Sequence, residues 1–242
     1  MIWTDVGVGR AAASERDVVI RPKYVRAPSR GVLYAHGSEA GEGGAVQWMS
    51  IPGRWPIMRA VGAKATMVAA DLGGNQTWGN NTAIARMASA YTYARTLPDF
   101  ADTKVNILAQ SMGATTALAW AAQNPTLVGR IALMIPVINL ADLRDNSWVQ
   151  PNIDAAYGGT YVEATQGATH NPLTMAAAGK FAGLQIQLWY GTTDTLCKPE
   201  HAEQFAAYVP GCQLKPIPGG HAESTIQEID PDELSSFLMG AP

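Results

Sequence analysis

One serine stands where covalent chemistry is easiest to build. Ser111 lies in Ala109-Gln110-Ser111-Met112-Gly113, directly after the apolar run Val105 to Ala109 and directly before an alanine-rich segment. A serine hydroxyl is a weak nucleophile at neutral pH, so it needs a base within hydrogen-bond reach and a third group that fixes the tautomer of that base. A sharp strand-to-helix turn also brings backbone against neighbouring elements, which accounts for small residues at Ala109 and Gly113. The same turn puts Ser111 at a helix amino terminus, where free N–H groups and the helix dipole favour a developing oxyanion.

The elements that must carry this serine alternate between strand-like and helix-like runs, the pattern of parallel strands joined by crossover helices. Asp17 to Arg21, Gly31 to His36 and Thr66 to Ala70 read as the strands that begin the sheet. Asn80 to Leu97 reads as a helix, with Ile84, Met87, Ala88 and Tyr91 on one face and Pro98 stopping it. Val105 to Ala109 is a buried strand, Met112 to Ala122 a helix, and the nearly continuous apolar run Arg130 to Ile138 a central strand covered on both faces. Periodicity fades from Leu140 to Lys180, which reads as a cap-like insertion over the sheet edge (residues 140–180). Strands at Leu184 to Tyr190 and Gln213 to Ile217 and helices at Pro199 to Tyr208 and Pro231 to Met239 complete one α/β domain spanning 1–242.

The chain resembles the α/β-hydrolase family, in its serine esterase, lipase and thioesterase branch, over nearly the whole length. The motifs are His36-Gly37 after a core strand, the Ser111 turn, Gly191-Thr192-Thr193-Asp194 after a late strand, and Gly219-Gly220-His221 after the last one. That resemblance implies a mostly parallel sheet of about seven or eight strands with helices on both faces and a short insertion after the strand ending near Ile138. It implies Ser111 as nucleophile, Asp194 as acid and His221 as base, in the family's chain order. It further implies an oxyanion hole from the N–H of Met112 and that of Ser38 or Glu39, with His36 and Gly37 at the substrate side. Asp71-Leu72-Gly73-Gly74 resembles a structural loop of the same family. Ala109 replaces the more usual glycine.

Other residues of the same types compete for these roles. His170 falls in the insertion, His201 on the expected solvent face of a helix and His36 in the oxyanion loop, leaving His221 as the base. Asp142, after Ile138-Asn139-Leu140, is the competing acid, with a helix cap as its plain role. Trp48, Trp55, Trp78 and Trp148 fall in expected loops near the site; Trp78 and Trp148 are candidate substrate walls, and ordinary packing explains at least two of the four. Cys197 and Cys212 have no metal-type spacing, and Cys197 reads as packing at a helix start.

Composition narrows the function classes. The 17 basic and 20 acidic residues are dispersed, giving a net charge of −3, so nothing gathers counter-charge for a nucleic acid or an anionic membrane. Charged residues make up 15%, against roughly 25% in an ordinary soluble domain, which leaves room for a homo-oligomer or a larger assembly covering some surface. No apolar run approaches the ~20 residues of a membrane span, and Met1 to Arg16 lacks a signal-peptide pattern. The expectation is a soluble protein, cytoplasmic by default or packaged in a virion if phage-encoded, with no metal and no cofactor.

The expected reaction is two-step hydrolysis of a carboxylic ester or thioester through an acyl-enzyme, on a small-molecule or polymer-borne substrate. The competing expectation is a catalytically silent protein of the same fold that uses its pocket or low-charge surface for binding or assembly.

Overall fold

The computed structural model describes residues 6–10, 18–23, 30–38, 51–100 and 102–240. Its eight strands are β1 (Val6–Arg10), β2 (Val18–Pro22), β3 (Val32–Ala35), β4 (Met67–Ala70), β5 (Val105–Gln110), β6 (Val128–Met134), β7 (Gln185–Gly191) and β8 (Cys212–Ile217). They form one sheet in the order β1-β2-β4-β3-β5-β6-β7-β8. β1 and β2 are antiparallel, β2 meets β4 antiparallel, and β3 to β8 run parallel.

Side-chain alternation divides the core into two layers. Leu33, Val68, Ile107, Ile131 and Leu133 point to one face, which is covered by α2 (Asn81–Ala94), α3 (Gly113–Gln123) and α8 (Pro199–Tyr208). Tyr34, Met67, Leu108, Ala132 and Met134 point to the other, under α1 (Trp55–Gly62) and α10 (Pro231–Met239). Strands buried on both sides have no polar face, which is why they read as continuous apolar runs.

Local chemistry fixes the boundaries. The Asn80 side chain accepts from the Ala83 N–H at 3.0 Å and caps α2. Asp230 caps α10, Pro231 opens it, and Gly240 ends it at φ 71° in the left-handed region that favours glycine. β6 stops at Met134, four residues before the expected Ile138, because Ile135 turns to φ 39°, which no strand can continue through. α2 likewise ends at Ala94 rather than Leu97. β1 and α1 were not anticipated.

The stretch expected to be irregular is instead four short helices: α4 (Leu140–Asn146), α5 (Gln150–Ala156), α6 (Glu163–His170) and α7 (Pro172–Ala177). Leu140, Leu143, Val149, Ile153 and Tyr161 bury themselves with Trp78, Met112 and Cys197, so this layer packs directly on the Ser111 turn. A ninth short helix, α9 (Glu223–Gln227), follows β8. No helix among the described residues is long and apolar enough to cross a membrane.

Candidate active site

The geometry starts at the end of β5. Ser111 follows Gln110 with φ 45°, a left-handed conformation that a non-glycine residue adopts only when its surroundings impose it. Two backbone hydrogen bonds do so here: the Ser111 N–H donates to the Met134 carbonyl at 3.0 Å, and the Val137 N–H donates to the Ser111 carbonyl at 3.1 Å. Two residues later, Gly113 packs α3 onto the end of β3. A Cβ there would meet the Ala35 carbonyl oxygen at 2.3 Å and that of His36 at 2.4 Å, so glycine is required by space.

The turns after β7 and β8 are stitched together before either contributes a functional group. The Thr192 N–H donates to the Ile217 carbonyl at 2.9 Å and the Thr193 N–H to the Gly219 carbonyl at 3.0 Å. Across that seam, Asp194 Oδ2 accepts from His221 Nδ1 at 2.9 Å. Asp194 Oδ1 accepts from the N–H groups of Leu196 at 2.9 Å and Cys197 at 2.8 Å, which fixes the carboxylate plane. His221 Nε2 then lies 2.8 Å from Ser111 Oγ. The structure thus brings the three residues together in one hydrogen-bonded line, with Asp194 buried and His221 partly exposed.

Electrostatics follow from this packing. Burial disfavours the imidazolium, but the hydrogen-bonded Asp194 carboxylate favours it, and the His221 pKa lies above the ordinary imidazole value. Burial pushes the Cys197 thiol upward. Such a thiol is protonated at neutral pH and is no competing nucleophile.

Ser111 opens onto a cleft of about 370 Å³. Ile51, Ile135, Ala222 and Ile226 supply apolar wall, while Ser38, Gln110 and the ion pair of Arg54 with Glu223, at 2.9 Å between Nε and Oε2, supply polar wall. Arg54 and Glu223 were missed in the sequence. Neither belongs to a periodic pattern, because Arg54 ends a 3-10 turn (Pro52–Arg54) and Glu223 begins the five-residue α9.

The remaining expected residues fall as follows. Ser38 lines the cleft, its Oγ accepting from Gln76 Nε2 at 2.8 Å, and Met112 is buried immediately before α3. Glu39 and Trp48 lie outside the described residues. His36 is fully buried: its Nδ1 is 2.8 Å from the Gly37 carbonyl oxygen, and its Nε2 faces the Leu72 N–H at 3.5 Å. His36 and Gly37 therefore shape the turn before Ser38 rather than line the cleft. Trp78 is buried against Met112 and the insertion, and Trp148 is 78% exposed. Neither is among the described residues that line the cleft around Ser111. Trp55 opens α1 and is not in a loop.

Two rival groups are otherwise engaged. Asp142 pairs with Lys198 and stands 3.7 Å from His201 Nε2, and His201 is half-buried rather than solvent-facing. His170 is buried, with Nε2 3.2 Å from Asn81 Oδ1. Cys197 precedes α8 as expected, yet it also touches the His221–Asp194 pair. One ligand atom from each of the three lies within 4.8 Å of the others.

No protein-family model matches the sequence. No curated protein matches it by sequence. Solved structures match across almost the whole chain. The substrate-bound fluorophosphonate-binding serine hydrolase F of Staphylococcus aureus superposes with a TM-score of 0.74 at 15% identity, covering 96% of this chain and 98% of that one. S-formylglutathione hydrolase of the same organism gives 0.71 at 14% identity, covering 96% and 99%. S-formylglutathione hydrolase of Agrobacterium tumefaciens gives 0.65 at 15%, covering 96% and 94%. With a mostly parallel sheet that agrees with these neighbours in fold, the chain is an α/β-hydrolase-fold protein.

Proposed function

We propose that the protein is a serine hydrolase that cleaves carboxylic esters or thioesters through an acyl-enzyme, with Ser111 as nucleophile, His221 as general base and acid, and Asp194 as the group that orients it. The observation that carries this reading is the unbroken line from Ser111 Oγ to His221 Nε2 at 2.8 Å and from His221 Nδ1 to Asp194 Oδ2 at 2.9 Å. Asp194 accepts from Nδ1–H, which leaves the Nε2 lone pair facing the hydroxyl proton. Ser111 Oγ adds to the ester carbonyl as His221 takes its proton, and His221 returns that proton to the departing alcohol or thiol. Water, deprotonated by the same nitrogen, then releases the acid.

The oxyanion is held by the Met112 N–H, at the first turn of α3, and by the Ser38 N–H across the cleft. Similar structures that include a fluorophosphonate-binding serine hydrolase and S-formylglutathione hydrolases support ester or thioester cleavage as the reaction class.

Kinetics on p-nitrophenyl esters of graded chain length test the reading. Ser111→Ala and His221→Ala should each lower kcat by at least about 10⁴-fold, with far-ultraviolet circular dichroism unchanged. Retention of more than a tenth of the activity in folded Ser111→Ala would overturn it.

A further inference from the structure

Cys197 is a buried thiol that the proposed reaction does not use, and it stands against two residues that the reaction does. Its Sγ, a carboxylate oxygen of Asp194 and a ring nitrogen of His221 lie within 4.8 Å of one another. Thiolate, carboxylate and imidazole are the ligand types that hold Zn²⁺ at roughly 2.0–2.3 Å, and a tetrahedral set at those lengths has its ligand atoms about 3.4–3.8 Å apart. The widest separation exceeds that spacing by about 1 Å, a difference of the order that side-chain rotation spans. Asp194 is already fixed by the Leu196 and Cys197 N–H groups, so one wall of the site is rigid. His221 is the most exposed of the three and gives an ion its approach.

We propose that Asp194, Cys197 and His221 form a binding site for a thiophilic divalent cation of the Zn²⁺ or Cd²⁺ class, and that occupation of this site switches hydrolysis off. The second half rests on the proposed esterase function; the binding does not. The ring nitrogen that faces Asp194 is Nδ1, which carries the imidazole proton while Nε2 accepts from Ser111. When the ion bonds to Nδ1, that proton moves to Nε2, and the thiol proton leaves to solvent as Sγ bonds to the metal. One proton is released per ion, and the imidazole stays neutral. Nε2 then presents an N–H to Ser111 Oγ and can no longer accept its proton, so the base is lost although no ligand touches the serine.

The sequence hides this site because the three ligands come from two turns, after β7 and β8, that pair only in the fold. Cys212, the other free cysteine, lies at the start of β8 and has no part in it.

The test is a Cd²⁺ titration of the full chain under phosphine reductant, reading thiolate-to-metal charge-transfer absorption and, in parallel, hydrolysis of p-nitrophenyl acetate. Wild type and Cys212→Ser should show the band saturating at one ion per chain, with hydrolysis lost at the same midpoint. Cys197→Ser and Cys197→Ala should lack the band. Inhibition of each, measured against its own metal-free rate, should shift upward by at least about 100-fold, beyond what loss of a mere supporting contact costs. A band that persists in both Cys197 variants, or an inhibition midpoint that they leave unchanged, would overturn the site. A chain that binds Cd²⁺ without hydrolysing anything sinks the esterase reading and leaves the site standing; hydrolysis with no band does the reverse.

Discussion

Asp142 Oδ2 lies 2.8 Å from Lys198 Nζ, so the one other carboxylate that chain order allowed as the acid is committed to an ion pair away from the Ser111–His221 line. Of the two carboxylates, it is Asp194 that meets Nδ1. Asp194→Asn should therefore lower kcat by about 10⁴-fold with little change in KM, since it disturbs the tautomer and not substrate binding. Asp142→Asn should stay within a few-fold of wild type. Steady-state kinetics on the two variants decide the assignment, and equal losses would contradict it.

The pH dependence has a determined sign. His221 must be neutral to accept the Ser111 proton, and its pKa is raised above the ordinary value by the Asp194 carboxylate against the opposing effect of burial. Activity is thus low while the imidazole is protonated and rises with pH through the raised pKa. The midpoint of the kcat/KM profile should fall above about 6.5, the unperturbed imidazole value. In Asp194→Asn the residual activity should show a lower midpoint, because the carboxylate no longer favours the charged ring.

Gly113 leaves no space for a side chain. A methyl group at this position meets two backbone carbonyls, from Ala35 and His36, which cannot rotate away as a flexible side chain would. Gly113→Ala should cost about 1–3 kcal/mol in urea unfolding, as overpacking does, and should lower kcat as well by moving the Ser111 turn.

Ile135 combines strain with a place in the cleft wall. It is a β-branched residue at φ 39°, held by its N–H donating to the Trp189 carbonyl at 2.8 Å. Relief of that conformation is worth about 1–3 kcal/mol, of the same order as the penalty for emptying a buried isoleucine site. Ile135→Gly should accordingly be no less stable than Ile135→Ala, the reverse of their usual ranking. Both variants should shift preference toward longer acyl chains, which graded p-nitrophenyl esters will read.

How much of this was legible in the sequence follows from what kind of constraint each residue obeys. Ser111, Asp194 and His221 sit at strand ends, and the apolar strands before them announce themselves, so the turns that carry them could be placed. α1 was hidden by Pro56 within a stretch that read as loop, although proline is tolerated in a first helical turn. Helices α4 to α7 hold only six to eight residues each, too few for apolar periodicity to stand out. Arg54 and Glu223 pair across 169 positions, and Cys197 reaches His221 from a separate turn, with a helix and a strand of the chain between them. Contacts of that kind have no signature along a single chain. For the tryptophans, residue type suggested an aromatic wall, while the burial of Trp78 and the exposure of Trp148 are set by packing that a single chain does not display.

The most direct test of the account is covalent. Folded wild-type protein, incubated with a fluorophosphonate probe and mapped by peptide mass spectrometry, should carry one label on Ser111. The label should vanish in Ser111→Ala and form far more slowly in His221→Ala, because only a hydroxyl activated through His221 attacks phosphorus at a useful rate. Absence of labelling in folded wild-type protein, or labelling at another residue, would contradict the claim that Ser111, His221 and Asp194 form a working catalytic line.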